Sequence, residues 1–164
     1  MPGPIVLIGP MGVGKTTIGK KLAKRLNLGF IDTDKEIAKA HGPIPKIFEK
    51  QGEEYFRELE TEFLAKALGG DGVVATGGGV VTQEANRELL KNHFVIYLST
   101  TGRHISARLV IGKRPLLKNG FEDWKRIYEE RKPLYHAVAT REILTSEKSL
   151  NQVVSEIESL VEHV

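Results

Sequence analysis

The chain has 164 residues, with 24 Lys and Arg against 21 Asp and Glu, a formal charge of +3 and a pI near 9.1; 40% of residues are hydrophobic and 27% charged. That length suits one domain and that composition is ordinary globular usage, which excludes fibrous and disordered classes. The lack of cysteine excludes disulfides and thiolate metal sites, no apolar run approaches the roughly 20 residues of a bilayer span, and the mild, dispersed basic excess points to small anions in a cytoplasmic setting rather than to nucleic acid.

Ile5 to Ile8 reads as a buried strand. Gly9-Pro10-Met11-Gly12-Val13-Gly14-Lys15-Thr16 follows, a complete G-x-x-x-x-G-K-[ST] loop, and Lys15 to Leu26 reads as helix. Glycine at 9, 12 and 14 lets the backbone turn tightly and aim the N–H groups of Gly12 to Thr17 at phosphate oxygens. Lys15 can bridge β and γ phosphates, the Thr16 hydroxyl is a Mg²⁺ ligand, and the helix start adds its positive dipole end. The segment is therefore a nucleoside triphosphate site. On the same helix Ile18, Leu22, Ala23 and Leu26 form the buried stripe, and Lys20, Lys21, Lys24 and Arg25 read as a solvated face.

A second strand, Gly29 to Asp32, ends in Asp32-Thr33-Asp34, which places two carboxylates at the ligand-binding edge of an α/β sheet, on one side by strand alternation. One can hold a Mg²⁺-bound water, and the other can orient an attacking hydroxyl or take its proton. Asp34 also reads as the N-cap of a helix from Asp34 to His41. The stretch from His41 to Gln51 holds Pro43 and Pro45 and fits the alternation of strands and helices poorly, although Ile44 to Lys50 is a helix candidate. Glu53 to Leu68 keeps a helical stripe of Phe56, Leu59, Phe63 and Ala67 and stops at Gly69-Gly70.

The third strand, Val73 to Thr76, runs into Gly77-Gly78-Gly79. This is either a flexible turn or a loop that contacts ligand; three glycines directly after a buried strand favour the ligand. Then come a helix over Gln83 to Asn92, a strand over Phe94 to Leu98 and a helix over Gly102 to Val110. Ile111 to Gly120 has loop chemistry with exposed Leu116 and Leu117; this loop and the 41–51 stretch are lid candidates. A helix over Phe121 to Arg131 and a strand over Glu142 to Thr145 precede the last helix, Leu150 to Val161. Ser149 and Gln152 form its capping box, and Leu150, Val153, Val154, Ile157, Leu160 and Val161 face inward. The alternation predicts a three-layer α/β/α fold on a five-stranded parallel sheet. Arg57, Arg114 and Arg131 are the remaining cations with chemical potential, each of which also reads as a surface charge.

Six blocks then stand in order over nearly the whole chain: the phosphate loop through Thr17; Asp32-Thr33-Asp34; Ile47-Phe48 with Gly52-Glu53-x-x-Phe56-Arg57-x-x-Glu60; Gly77-Gly78-Gly79; Arg114-Pro115-Leu116-Leu117; and Arg131-x-Pro133-Leu134-Tyr135. Together they resemble the shikimate kinase family, small nucleoside-monophosphate-kinase-like phosphate-loop proteins. The resemblance implies a single domain with a lid near 111–120 and a substrate-binding helical segment near 34–62. It implies a monomer acting on ATP and shikimate with Mg²⁺, reached by Thr16 and, through water, by Asp32. It gives Asp34 the substrate hydroxyls, Arg57 and Arg131 the carboxylate, Gly77, Gly78 and Gly79 backbone contact with the same substrate, and Arg114 the phosphates. Arg108 and Lys148 match positions near the adenine. Pro43, Pro45 and Lys46 depart from the family's pattern at the start of the substrate-binding helix. A kinase of another hydroxy acid, such as gluconate, and a nucleotide switch are the competing readings; the chain lacks the Asn-Lys-x-Asp of guanine recognition.

Overall fold

Strand β1 (Ile5–Ile8) is buried along its whole length because it lies in the middle of a five-stranded sheet, between β3 (Val73–Ala75) and β4 (Phe94–Ser99). β2 (Phe30–Asp32) and β5 (Arg141–Leu144) form the edges, and every pairing is parallel. The computed structural model describes residues 3–103, 105, 116–117 and 119–162. Within them the helices are α1 (Lys15–Leu26), α2 (Thr33–His41), α3 (Ile44–Leu68), α4 (Glu84–Leu90), α5 (Phe121–Val138) and α6 (Leu150–Glu162).

Strand alternation sorts the core into two layers. Ile5 and Leu7 of β1 pack with Ile96 and Leu98 of β4 under Ile18 and Leu22 of α1 and Val153, Val154 and Ile157 of α6. Val6 and Ile8, with Val95 and Tyr97, face the other way onto Leu64 of α3, Leu90 of α4 and Trp124, Tyr128 and Tyr135 of α5. The fold is thus the expected three-layer α/β/α arrangement. The connection leaving β1 runs to one side of the sheet and the one leaving β3 crosses to the other, so the loops after these neighbouring strands border a crevice of the kind where such sheets bind ligands.

Several boundaries differ from expectation for physical reasons. The 41–51 stretch is helical from Ile44 on, as the helix candidate there had it: Pro43 precedes α3 and Pro45 lies in its first turn, where a missing N–H costs nothing, and the Pro43 carbonyl accepts from Lys46 and Ile47. Gly52, at φ 86°, breaks α3 into the two helical pieces read from the sequence. α5 continues through Pro133 to Val138; Pro133 and Glu129, whose carbonyl it leaves without a helical partner, are both exposed. The capping box of α6 forms, with Ser149 N donating to Gln152 Oε1 at 2.7 Å and Gln152 N to Ser149 Oγ at 3.1 Å, but Leu150 is exposed rather than inward. Leu117 is buried and Leu116 half-buried, against the expectation of two exposed leucines. Arg108, Arg114, most of the 111–120 segment and all but the start of the helix read at 102–110 lie outside the described residues.

Candidate active site

The loop after β1 has its glycines where L-residues are strained: φ is 150° at Gly9, 82° at Gly12 and 104° at Gly14. A Cβ on Gly9 would also stand 2.5 Å from the Leu98 carbonyl oxygen, so glycine is required there twice over. Gly14 forms the N-cap of α1 and leaves that helix's first N–H groups pointing at the cleft. The buried Lys15 ammonium donates to the carbonyls of Gly9 (2.6 Å) and Pro10 (2.9 Å). A cavity of about 260 Å³ opens over Gly12, Gly14, Lys15, Thr16 and Thr17 and reaches Asp32 and Asp34. The Val13 side chain turns into the core instead.

Asp32 and Asp34 divide the work differently from the sequence reading. The chain enters α2 at Thr33, so Asp34 reaches the site from the helix's first turn and not by strand alternation. Asp32, not Asp34, is the N-cap: its Oδ1 accepts from Lys35 N at 3.1 Å. Its Oδ2 accepts from Thr16 Oγ1 at 2.5 Å, which brings together the hydroxyl and the carboxylate expected at the metal. Asp34 has no capping duty. It stays partly open to the cleft, while its Oδ1 is buried without a hydrogen-bond partner. Burial, and then the charges of Glu60 and Asp32, push its carboxyl up to about 7, with Lys15 and Arg57 pulling it back.

Asp34, Met11, Gly77 and Gly78 form the shared wall between the phosphate cavity and a second one, of about 140 Å³. Ile44, Phe48, Phe56 and Leu116 give the second cavity an apolar side; Arg57, Glu60 and Arg131 give it a charged side. Arg57 is 6% exposed and is held on α3 by two acids: Nη1 donates to Glu60 Oε1 at 2.9 Å, and Nη2 to Glu53 Oε2 at 3.2 Å. Arg131, 8% exposed, has no carboxylate within ion-pairing distance among the described residues. Burial first, and the Arg57 charge nearby, lower its pKa, with Tyr135 and Glu60 pulling it back.

The three glycines are explained by crowding and not by backbone conformation, since none of them has positive φ. A Cβ on Gly77 would sit 2.7 Å from Asp34 Oδ1 and 2.9 Å from Glu60 Oε2; one on Gly79 would sit 2.5 Å from Arg57 Nη2. Glycine here lets buried charged side chains lie against the loop as well as opening both cavities. Gly79→Ala is therefore a steric test of Arg57: the backbone tolerates alanine, but the ion-paired guanidinium must move. Affinity for an acidic ligand should fall at least tenfold while nucleotide affinity holds, as two titrations would show; equal loss of both would mean general damage.

The shikimate kinase family model matches residues 11–162. A shikimate kinase of Corynebacterium efficiens is 41% identical over 93% of each chain, and one of Clostridium botulinum is 42% identical over 98% of each. This chain belongs to the shikimate kinase family. A solved shikimate kinase of Acinetobacter baumannii, in complex with shikimate, superposes with a TM-score of 0.93 at 40% identity, covering 98% of this chain and 93% of that one. The enzyme of Aquifex aeolicus superposes with a TM-score of 0.83 at 36% identity.

On this shikimate kinase fold Gly12, Gly14, Lys15, Thr16 and Thr17 of the phosphate loop, with Asp32, Asp34, Arg57, Gly77 to Gly79 and Arg131, line two adjoining cavities, while the Val13 side chain lies in the core. Lys148 stands apart: it pairs with Glu156 at 2.8 Å and lines a shallow surface groove on α6. The start of α6, two residues further on, does border the phosphate loop, because Leu150 Cδ2 lies 3.9 Å from a Cβ placed on Gly14. Among the residues that the sequence reading did not assign to the site are Glu60, Met11 and Tyr135, whose hydroxyl donates a short hydrogen bond to the Gly78 carbonyl. Glu60's signal was its place three residues after Arg57, and Tyr135's its place four residues after Arg131, each about one helical turn away.

Proposed function

We propose that the protein transfers the γ-phosphoryl group of ATP to the 3-hydroxyl of shikimate, giving shikimate 3-phosphate and ADP as a step of aromatic amino acid biosynthesis. One observation carries the choice of acceptor: among the described residues, a single cavity has a buried arginine without a carboxylate in ion-pairing range and, on the wall shared with the phosphate site, a carboxylate oxygen without a donor. A buried cation asks for an anion and a buried acceptor asks for a hydroxyl. A compact hydroxy acid supplies both, and the apolar side formed by Ile44, Phe48, Phe56 and Leu116 suits a ring.

In this reading the phosphate-loop N–H groups from Gly12 to Thr17 hold the β and γ phosphates, and Lys15 leaves the Gly9 and Pro10 carbonyls to neutralise them. Arg57 and Arg131 clamp the acceptor's carboxylate, with Glu60 and Glu53 fixing the direction of the Arg57 fork. Gly77, Gly78 and Gly79 present backbone to the same molecule. Asp34 accepts a hydrogen bond from the reacting hydroxyl, aligns it with the γ-phosphorus and takes its proton as the bond forms, in a direct in-line transfer. A carboxyl titrating near neutrality is matched to that task. Thr16 and Asp32, an adjoining hydroxyl and carboxylate, are the hard oxygen donors that would hold Mg²⁺, Asp32 through water. Among the described residues no three His, Cys, Asp or Glu side chains form a protein-only metal site, which fits a cation carried in on the nucleotide. When bound, Mg²⁺ screens charge on the β and γ oxygens.

Arg114 is proposed to cover the phosphates from a lid near 111–120, and Arg108 and Lys148 to flank the adenine. The whole chain is proposed to act as one domain and a monomer in the cytoplasm, with no nucleic-acid or membrane partner; among the described residues no helix is long and apolar enough to cross a membrane. Arg131→Lys tests the clamp, because it keeps the charge and loses the fork. Shikimate KM should rise about 10- to 150-fold, the equivalent of about 1.5–3 kcal/mol for a hydrogen bond to a charged group, with ATP KM unchanged. An unchanged shikimate KM would remove Arg131 from the acceptor site.

A further inference from the structure

The phosphate loop is held from outside by a side chain that the mechanism does not use. Trp124, the one tryptophan of the chain, is 2% exposed on α5, and its Nε1–H donates to the Met11 carbonyl at 2.7 Å. Met11 lines both cavities. It also packs against the glycine loop: a Cβ on Gly78 would stand 3.2 Å from Met11 Cγ and 3.3 Å from Met11 N. Tyr135, on the same face of α5, anchors Gly78 from its other side through the Gly78 carbonyl. Between these two anchors lies Arg131, on the acceptor cavity. The seam where α5 meets Pro10 and Met11 leaves no space for a water molecule while the indole is in place, so the Met11 carbonyl is served there by Trp124 and not by solvent.

The indole is itself fixed. Its ring stacks on Phe121 with centroids 5.5 Å apart and lies 5.1 Å from Tyr128, whose hydroxyl pairs with that of Tyr97 at 2.6 Å. Tyr97 in turn stacks on Tyr135 at 5.0 Å. One aromatic layer thus ties together both anchors, on a helix whose buried face is packed against β4. The Gly9 and Pro10 carbonyls have the Lys15 ammonium as partner, and that ammonium is required elsewhere once phosphates enter. The Trp124 bond to Met11 makes no such exchange.

We propose that Trp124 is a positioning residue for phosphotransfer: through the Met11 carbonyl it sets the distance between the phosphate loop and the acceptor loop, and so between the γ-phosphorus and the hydroxyl. The inference rests on the phosphotransfer reading above. The N–H groups that bind phosphate and the arginines that bind carboxylate are untouched by loss of the indole N–H, so each substrate still binds. What suffers is the alignment of the two bound substrates, on which the transfer rate depends steeply.

Trp124→Phe keeps the stacked ring and removes the donor. Its kcat should fall about tenfold, with both KM values within twofold of the parent enzyme. A parent-like kcat in folded variant would overturn the proposal, as would a loss seen in KM alone. Should the variant not fold, the parent protein still decides. It has a single indole Nε1–H resonance, which should shift when shikimate alone is added and again with ADP alone, since Met11 borders both sites. Two ligands that bind by calorimetry yet leave that resonance still would refute the coupling through Met11. Failure of both ligands to bind would instead bring down the phosphotransfer reading, and this inference with it.

Discussion

Asp34→Asn should all but abolish phosphotransfer while making the protein harder to unfold above pH 7. The activity loss follows from the buried, donorless Asp34 Oδ1 on the wall shared by the two cavities: asparagine cannot take a proton from the hydroxyl, and general-base loss costs about 10²- to 10⁴-fold in kcat. The stability gain follows from the same burial. Asp34 titrates at about 7 in the folded chain against an ordinary 3.8, because burial first and Glu60 and Asp32 next disfavour its charge. Between those values the folded state holds a proton that the unfolded state has lost. The folded state's advantage at this group is therefore complete below about pH 3.8 and disappears as pH rises through 7.

A shift of that size is worth at most about 4 kcal/mol, and less because the cleft admits some water; about 2–4 kcal/mol is the expected range. Urea unfolding of parent and Asp34→Asn should show a stability difference that grows by that amount between pH 4 and pH 8. A difference that does not change with pH would mean that Asp34 carries its charge without cost. On the activity side, kcat/KM of the parent should fall as pH drops through about 7, where the carboxylate gains its proton.

Glu60→Ala has the second largest expected effect, and it falls first on stability. Glu60 is 1% exposed and holds Arg57 Nη1 at 2.9 Å; without it, buried Arg57 has, among the described residues, only Glu53 left as an ion-pairing partner, itself half exposed. Breaking one side of a buried pair costs about 3–5 kcal/mol, far more than the pair is worth against an apolar replacement, because an uncompensated charge stays inside. The carboxylate clamp loses its orientation with it, so shikimate KM should rise. Removing the Glu60 charge also relieves Asp34, whose carboxyl it holds up, and the acid limb of the kcat/KM profile should move to lower pH. Denaturant titration and a pH–rate profile read both effects. A stability change under about 1 kcal/mol would show that the pair is solvated and not buried.

Much of the cleft could be read from sequence because local chemistry dictates it. Gly9, Gly12 and Gly14 occupy backbone conformations that other residues resist, and the strand before them and the helix after them keep the bounds read from their apolar patterns, Ile5–Ile8 and Lys15–Leu26. Ser149 and Gln152 cap α6 with each other, a bond that needs no tertiary context. What could not be read depends on neighbours distant in sequence. Whether Asp32 or Asp34 caps α2 turns on where the chain leaves the sheet, a one-residue matter. The reason for three glycines lies in Asp34, Glu60 and Arg57, which the fold lays against the loop. Nothing near Trp124 in the sequence marks it out, because its bond to Met11 spans more than a hundred residues. Pro133 ends helices in most settings but not on an exposed face where water can serve the unpaired carbonyl.

The central claim is that the cavity beside the phosphate loop takes a hydroxy acid as phosphoryl acceptor, and that the acid is shikimate. ADP release measured with Mg²⁺-ATP and, in turn, shikimate, quinate, gluconate or no acceptor tests it most directly. Strong turnover with shikimate, and at most traces with the other acceptors or none, is the expected result. Turnover with gluconate in place of shikimate would leave the phosphate site standing and contradict the assigned acceptor, and hydrolysis indifferent to any acceptor would contradict the kinase itself.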